Sequence, residues 1–267
     1  MKEIRIKDWN DLNDQLFANT WDDAIKRHRS TFAYRGASDE SWLIQNSLSR
    51  LGAPYPNMEQ KLLKQFKKYA HKHVVERDTD WHWLSIAQHH GLPTRLIDWT
   101  YSPMVALHFA TEDLDMYDKD GVVWKVDYAQ AHLLLQMKER ESLTRLGSNI
   151  FNVDSLSNTI SNLEALDSLH ATSFDVAVFF EPPGIDDRIV NQFAYFSVLS
   201  DPYKSMNEWF DMDHVKGHVD VIKIIIPKEL KLEIRDKLDQ SNFTERVLFP
   251  GLDGLCTWLK RHYKPMG

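Results

Sequence analysis

The 267-residue chain has one cysteine, Cys256, so it can form neither an internal disulfide nor a cysteine-based metal cluster. Its opening residues, MKEIRIKDWNDL, carry no apolar stretch of the kind that leads a secreted protein. Its apolar runs, Ile224-Ile225-Ile226 among them, are far too short to span a bilayer. Positive charge is in deficit: 32 Lys and Arg stand against 39 Asp and Glu, for a net charge of −7. That excludes a broad basic surface for duplex DNA and leaves room only for a local basic cleft. Repeats and low-complexity tracts are absent, as are a phosphate loop, a dinucleotide glycine fingerprint and a nucleophile elbow. These absences predict a soluble, cytoplasmic protein that engages neither membrane nor duplex DNA.

What is present fits a folded domain. Hydrophobic residues make up 43% and charged ones 27%, and aromatics reach 12% with nine Trp, enough rings to line a core or a cleft. Trp9, Leu12, Leu16 and Phe17 fall at helical spacing behind Asp8, a suitable N-cap. Thr31–Gly36 reads as a short strand ended by glycine. Residues 58–77 form an amphipathic pattern, with Met58, Leu62, Phe66 and Ala70 on one face and lysines on the other. A second helix, WHWLSIAQHH over 81–90, follows with Asp80 as its expected cap and Gly91 where a left-handed C-terminal residue is wanted. Leu96–Thr100 has strand character, and Ser102-Pro103 signals the start of a buried helix. Further strands are predicted at 122–126, 174–180, 193–199 and 219–226, with an inserted helical lobe at about 138–172 and a C-terminal helix with basic residues in its last turn. Helices and strands mix without strict alternation, so the expected class is α+β within a single domain over 1–267.

The histidines do not suggest a metal. His71 and His73 point to different faces of a helix, His89 and His90 are adjacent, and His82 and His89 lie two turns apart. The densest polar block is Gln88–Thr100, QHHGLPTRLIDWT. Gly91 and Pro93 fix a turn in it, and Arg95 and Asp98 could pair locally. A buried ion pair pinning the loop would account for these charges. So would a nucleotide site of polar groups around Trp99.

Together with Phe32-Ala33-Tyr34-Arg35-Gly36, this block resembles the FRG domain family, named for its Phe, Arg and Gly, here Phe32, Arg35 and Gly36. The segments Trp42–Gln45 with Ser47-Leu48, Arg188–Gln192 and Leu248–Leu255 resemble it too, so the motif core spans about 30–263. Ala194 departs from the glycine usual before Phe196. A second resemblance is to ADP-ribosyltransferases of the arginine–serine–glutamate class. Tyr34-Arg35-Gly36 is similar to their first motif, Asp98-Trp99-Thr100 before Ser102-Pro103 to their strand–helix unit, and Asn191–Phe196 to their glutamate strand.

This resemblance implies a split, mostly antiparallel sheet with helical insertions, and transfer of ADP-ribose from NAD to RNA or protein. It also implies the setting of a toxin or anti-phage effector with a possible antitoxin or inhibitor protein. Arg35, with Tyr34 and Gly36 beside it, would hold NAD phosphate or ribose. Asp98 and Thr100 would hold the nicotinamide end, and His90, Arg95 and Trp99 would complete the cofactor site. Gln192 stands where a catalytic glutamate is expected, so either it or Glu181 would stabilise the transition state. Several of these residues also have plain structural readings. Arg35 could tie its strand to an acidic neighbour, Tyr34 and Trp99 could be core, His90 could stabilise its turn, and Glu181 could be a solvated rim residue. Arg188 would contact either phosphate or Asp186-Asp187. Lys67, Lys68, Lys72 and Arg77 form either a solvated face or an RNA contact. The rival functions are a non-catalytic nucleotide- or partner-binding module and a hydrolytic toxin using His89 or His90 as base.

Overall fold

The computed structural model describes residues 1–52, 58–71, 79–172 and 174–265. Ten strands follow one another along it: β1 Lys2–Arg5, β2 Trp21–Asp22, β3 Arg27–His28, β4 Phe32–Ala37, β5 Ile97–Thr100, β6 Gly121–Asp127, β7 Phe151–Asn152, β8 Ala177–Glu181, β9 Ala194–Leu199 and β10 Val221–Ile226. Eight form one sheet in the order β1-β10-β6-β4-β5-β9-β8-β7, while β2 and β3 make a separate hairpin. The outermost pairings, β1–β10 and β7–β8, are parallel. The five between them are antiparallel.

The chain is thus a mixed α/β structure on one continuous mixed sheet. Where the resemblance implies a split, mostly antiparallel sheet, the strands run unbroken across eight positions and both edges are parallel. The edges come from segments the sequence pattern does not mark as strands: the first residues of the chain and a two-residue piece of the inserted lobe. One seam is weak. β4 pairs with β6 over six residues and β5 with β9 over four, but β4 and β5 meet only at Tyr34 and Thr100.

Most predicted helices are present, with the expected caps. Asp8 accepts from the Asn10 and Asp11 amides at the start of Trp9–Phe17. Ser102 caps Pro103–Thr111, and Gly91 has φ of +81°. The helix Asp80–His89 is capped by Thr79, not Asp80, because the Thr79 hydroxyl accepts from the His82 amide. The helix from Met58 is described to Ala70; Lys72 and Arg77 lie outside the described residues. The inserted lobe holds the helices Met137–Leu146, Val153–Thr159 and Leu163–Thr172. No helix among the described residues is long and apolar enough to cross a membrane.

Strand alternation distributes the core. Phe32 and Tyr34 pack with Leu12, Leu16, Ala106 and Leu107 from two helices, whereas Ala33 joins Trp99, Trp124 and Phe179. Helix Asp80–His89 lays Trp81, Trp83 and Leu84 onto Phe180, Phe196 and Val198. Gly36 is what lets helix Pro103–Thr111 lie on β4: a Cβ there would sit 1.8 Å from the Ala106 carbonyl oxygen. Lys125, fully buried on β6, donates to the carbonyls of Gln15, Leu16 and Ala18 and so closes the C-terminal end of the first helix.

His132 ties the lobe to the sheet. Its Nε2 accepts from the Phe179 amide, which leaves the proton on Nδ1 to donate to the Asn149 carbonyl. Burial pushes its pKa down to about 4, so the ring stays neutral in the folded chain. The unfolded ring takes up a proton near its ordinary value of 6.5. The stability this site contributes is therefore complete above that pH and lost as pH falls towards 4. Between pH 7 and 5 the loss should be about 2 kcal/mol, and His132→Gln should remove that part of the pH dependence in urea unfolding. Equal slopes for the two proteins would contradict this.

Candidate functional site

Because β4 and β5 part after one pair, a cleft of about 370 Å³ opens at their seam. Its walls are β4 from Tyr34 to Ala37 with Ser38 just after it, β5 from Asp98 to Thr100, the C-terminal ends of helices Asp80–His89 and Pro103–Thr111, and the short helix Asp187–Asn191. That volume falls in the range of small-molecule sites, about 300–1,000 Å³.

Arg35 is half-buried at the seam, where its Nη1 donates to the Asp98 carbonyl at 2.6 Å. Burial holds the guanidinium below its ordinary pKa; Asp98 works against that shift and Arg50 adds to it. Among the described residues Arg35 has no ion-pair partner. Neither has Arg188, an exposed cleft residue whose guanidinium lies 5.0 Å from the Phe249 ring centre. It does not pair with Asp186 or Asp187.

The acidic groups of the cleft are engaged locally. Asp98 accepts from Gln88 Nε2 at 2.8 Å, and the Thr94 hydroxyl donates to Gln88 Oε1 at 2.6 Å, which fixes the carboxamide. Glu112 lies 3.4 Å from His108 Nε2, and Asp113 accepts from the Asp115 amide. His89 Nε2 contacts the Asp186 carboxylate. Burial lowers the His89 pKa, Asp186 opposes that shift, and Arg188 and His90 reinforce it. Among the described residues the cleft therefore presents two cations without an ion-pair partner beside carboxylates that have local contacts of their own, an arrangement suited to an anion such as a phosphate.

Thr100 is tied to Gln192. Its hydroxyl donates to the Gln192 carbonyl at 2.8 Å and accepts from the Ser102 amide, which leaves it little capacity for a ligand. The Gln192 side chain lines the cleft and donates from Nε2 to the Leu248 carbonyl at 3.0 Å, while Asn191 donates to that of Val247. The motif Leu248–Leu255 is thereby held against the cleft wall.

Several expected site residues are placed differently. Arg95 is outside the cleft and does not pair with Asp98; it is buried against Glu59 and Asp167, both 2.5 Å away. His90 is exposed at the helix end, and its neighbour His89 faces the cleft instead. Glu181 is also outside, at the end of β8. Trp99 and Tyr34 border the cleft with their polar ends committed elsewhere. The Trp99 indole donates to Ser197, and the Tyr34 hydroxyl donates to the Leu16 carbonyl. Gly36 borders it as backbone. Lys67 pairs with Asp80, and Lys68 lies over Tyr69. Sequence reasoning missed Glu112 and Asp113, and took Trp42 and Phe109 only as motif residues; the topology brings all four to the seam.

The FRG domain family model matches residues 30–119, about a third of the chain. That segment holds β4, β5 and both long helices of the cleft; Arg188, Gln192 and Leu248–Leu255 lie beyond it. The match supports the FRG resemblance over that segment. No curated protein and no solved structure matches the chain.

The two arginines should respond unequally to truncation. Arg95→Ala leaves Glu59 buried and uncompensated and should cost about 3–5 kcal/mol in urea unfolding. Arg35→Ala removes one hydrogen bond and should cost no more than about 1.5 kcal/mol. A loss at Arg35 as large as that at Arg95 would assign Arg35 to the scaffold.

Proposed function

We propose that the chain is an ADP-ribosyltransferase that takes NAD into the seam cleft and passes its ADP-ribose to a macromolecule, RNA or protein. The observation that carries this reading is the Arg35 guanidinium, half-buried in the cleft without a carboxylate partner. Retaining a desolvated, unpaired cation is unfavourable unless an anionic ligand completes it. In this reading Arg35 and Arg188 hold the diphosphate, and Asp98, fixed by Gln88, hydrogen-bonds the nicotinamide end. Thr100 is a positioning residue that sets Gln192 through its carbonyl.

In the transfer, the bond from the nicotinamide nitrogen to ribose C1′ breaks and nicotinamide leaves with that electron pair. The acceptor atom bonds C1′ and gives up its proton to solvent. Gln192 can accept a hydrogen bond from a ribose hydroxyl through its free oxygen, but it adds no negative charge opposite the positive character at C1′. Turnover should accordingly be slow, as suits a toxin or anti-phage effector restrained by an inhibitor protein.

A second reading, a nucleotide-binding module without turnover, is favoured by the neutral Gln192 and by the tie from its Nε2 to Leu248. Nicotinamide release from NAD, with cell extract as acceptor source, separates the two. Transfer predicts slow release by the wild type, loss of about tenfold or more in Gln192→Ala, and an equal or faster rate in Gln192→Glu. NAD binding without release would favour the module. Absence of both would overturn the cleft assignment.

A further inference from the structure

Glu181 and four aromatic residues form a second polar site just past the end of the cleft. The register Phe180↔Phe196 puts Glu181, one step on, opposite Tyr195 on the same face of the sheet. Tyr195 lies 5.3 Å from Tyr101 between ring centres and 5.7 Å from Tyr128, and Tyr101 lies 4.9 Å from Phe193. Tyr195 and Tyr128 are buried, whereas Tyr101 is 46% exposed.

Three features of this cluster are unexplained by packing. First, among the described residues the Glu181 carboxylate has no hydrogen bond and no ion-pair partner. Partial desolvation raises its pKa. Second, the charged groups acting on the three tyrosines are Glu181 and, at Tyr128, Asp127, both acidic. Third, Phe193 has φ of +51°, a left-handed conformation that costs a bulky side chain about 1–2 kcal/mol and would suit glycine at this helix end. The strained backbone sets the Phe193 ring against Tyr101 instead.

A carboxylate beside the exposed Tyr101 ring and the half-buried Phe193 ring attracts a planar cation, which can stack on a ring while its N–H groups reach the carboxylate. We propose that Tyr101, Phe193, Tyr195 and Glu181 form a seat for an arginine side chain of a partner protein. A nucleic acid fits less well, since bases would stack on the rings but the acidic surroundings repel the phosphates. Phe193 and Tyr101 directly follow Gln192 and Thr100, and the Tyr101 amide donates to the Phe193 carbonyl, so a protein held here lies beside the cleft. The seat stands whatever the cleft turns over.

The test uses the full chain and the tripeptide acetyl-Gly-Arg-Gly-amide, with the Gly-Gln-Gly analogue and a short oligouridylate as comparators, followed by aromatic-ring NMR shifts. The arginine peptide should shift the Tyr101 and Phe193 rings saturably, while the glutamine peptide should not. Glu181→Gln and Tyr101→Ala are at exposed positions and should keep the fold; each should weaken binding about fivefold or more, the Tyr101 variant being read at Phe193. Rings that do not respond to the arginine peptide, unchanged affinity in Glu181→Gln, or a response to oligouridylate in place of the peptide would overturn the proposal.

Discussion

β4 and β5 are neighbours in the sheet for one residue pair, and the candidate site exists because they then separate. The strands are pinned where they touch. Tyr34 is anchored to the Leu16 carbonyl, and Thr100 spans from the Gln192 carbonyl to the Ser102 amide. They diverge beside Gly36, where helix Pro103–Thr111 lies too close to β4 for any side chain. On the other flank, helix Asp80–His89 packs three large residues onto β8 and β9. Two separately packed helices thus face each other across a seam that neither fills.

The charges divide along the same line. Several buried cations of the scaffold have close partners. Arg95 meets Glu59 and Asp167, Arg261 meets Asp239 and Glu245, and Lys125 meets three carbonyls. Such groups are satisfied within the fold, and removing one partner strands the other. Arg35 and Arg188 differ from Arg95 and Arg261 in having backbone or ring contacts but no counter-charge. For the half-buried Arg35, burial without a counter-charge is the state that a bound anion relieves.

Much of this was legible in the sequence, and the limits have a physical pattern. Features set within a few residues were readable: the Asp8 and Ser102 caps, the left-handed Gly91, and the Phe32-Arg35-Gly36 strand. Features set by distant partners were not. Asp98 is three residues from Arg95, yet the partners of Arg95 come from positions 59 and 167. His90 and His89 differ only in where a helix end turns. A lysine in a strand pattern looks exposed, yet Lys125 is buried because a helix C-terminus 107 to 110 residues away supplies its acceptors. The edge strand β1 is legible only once β10 is there to receive it.

The central claim is that the two uncommitted arginines of the seam bind the diphosphate of a nucleotide ligand. The most direct measurement is calorimetric titration of ADP-ribose into the wild type and into the Arg35→Gln/Arg188→Gln double variant at matched salt. The account predicts saturable binding to the wild type and a loss of about hundredfold or more in the double variant, from two charge-assisted contacts. Equal affinity in the two proteins, with both folded, would contradict it.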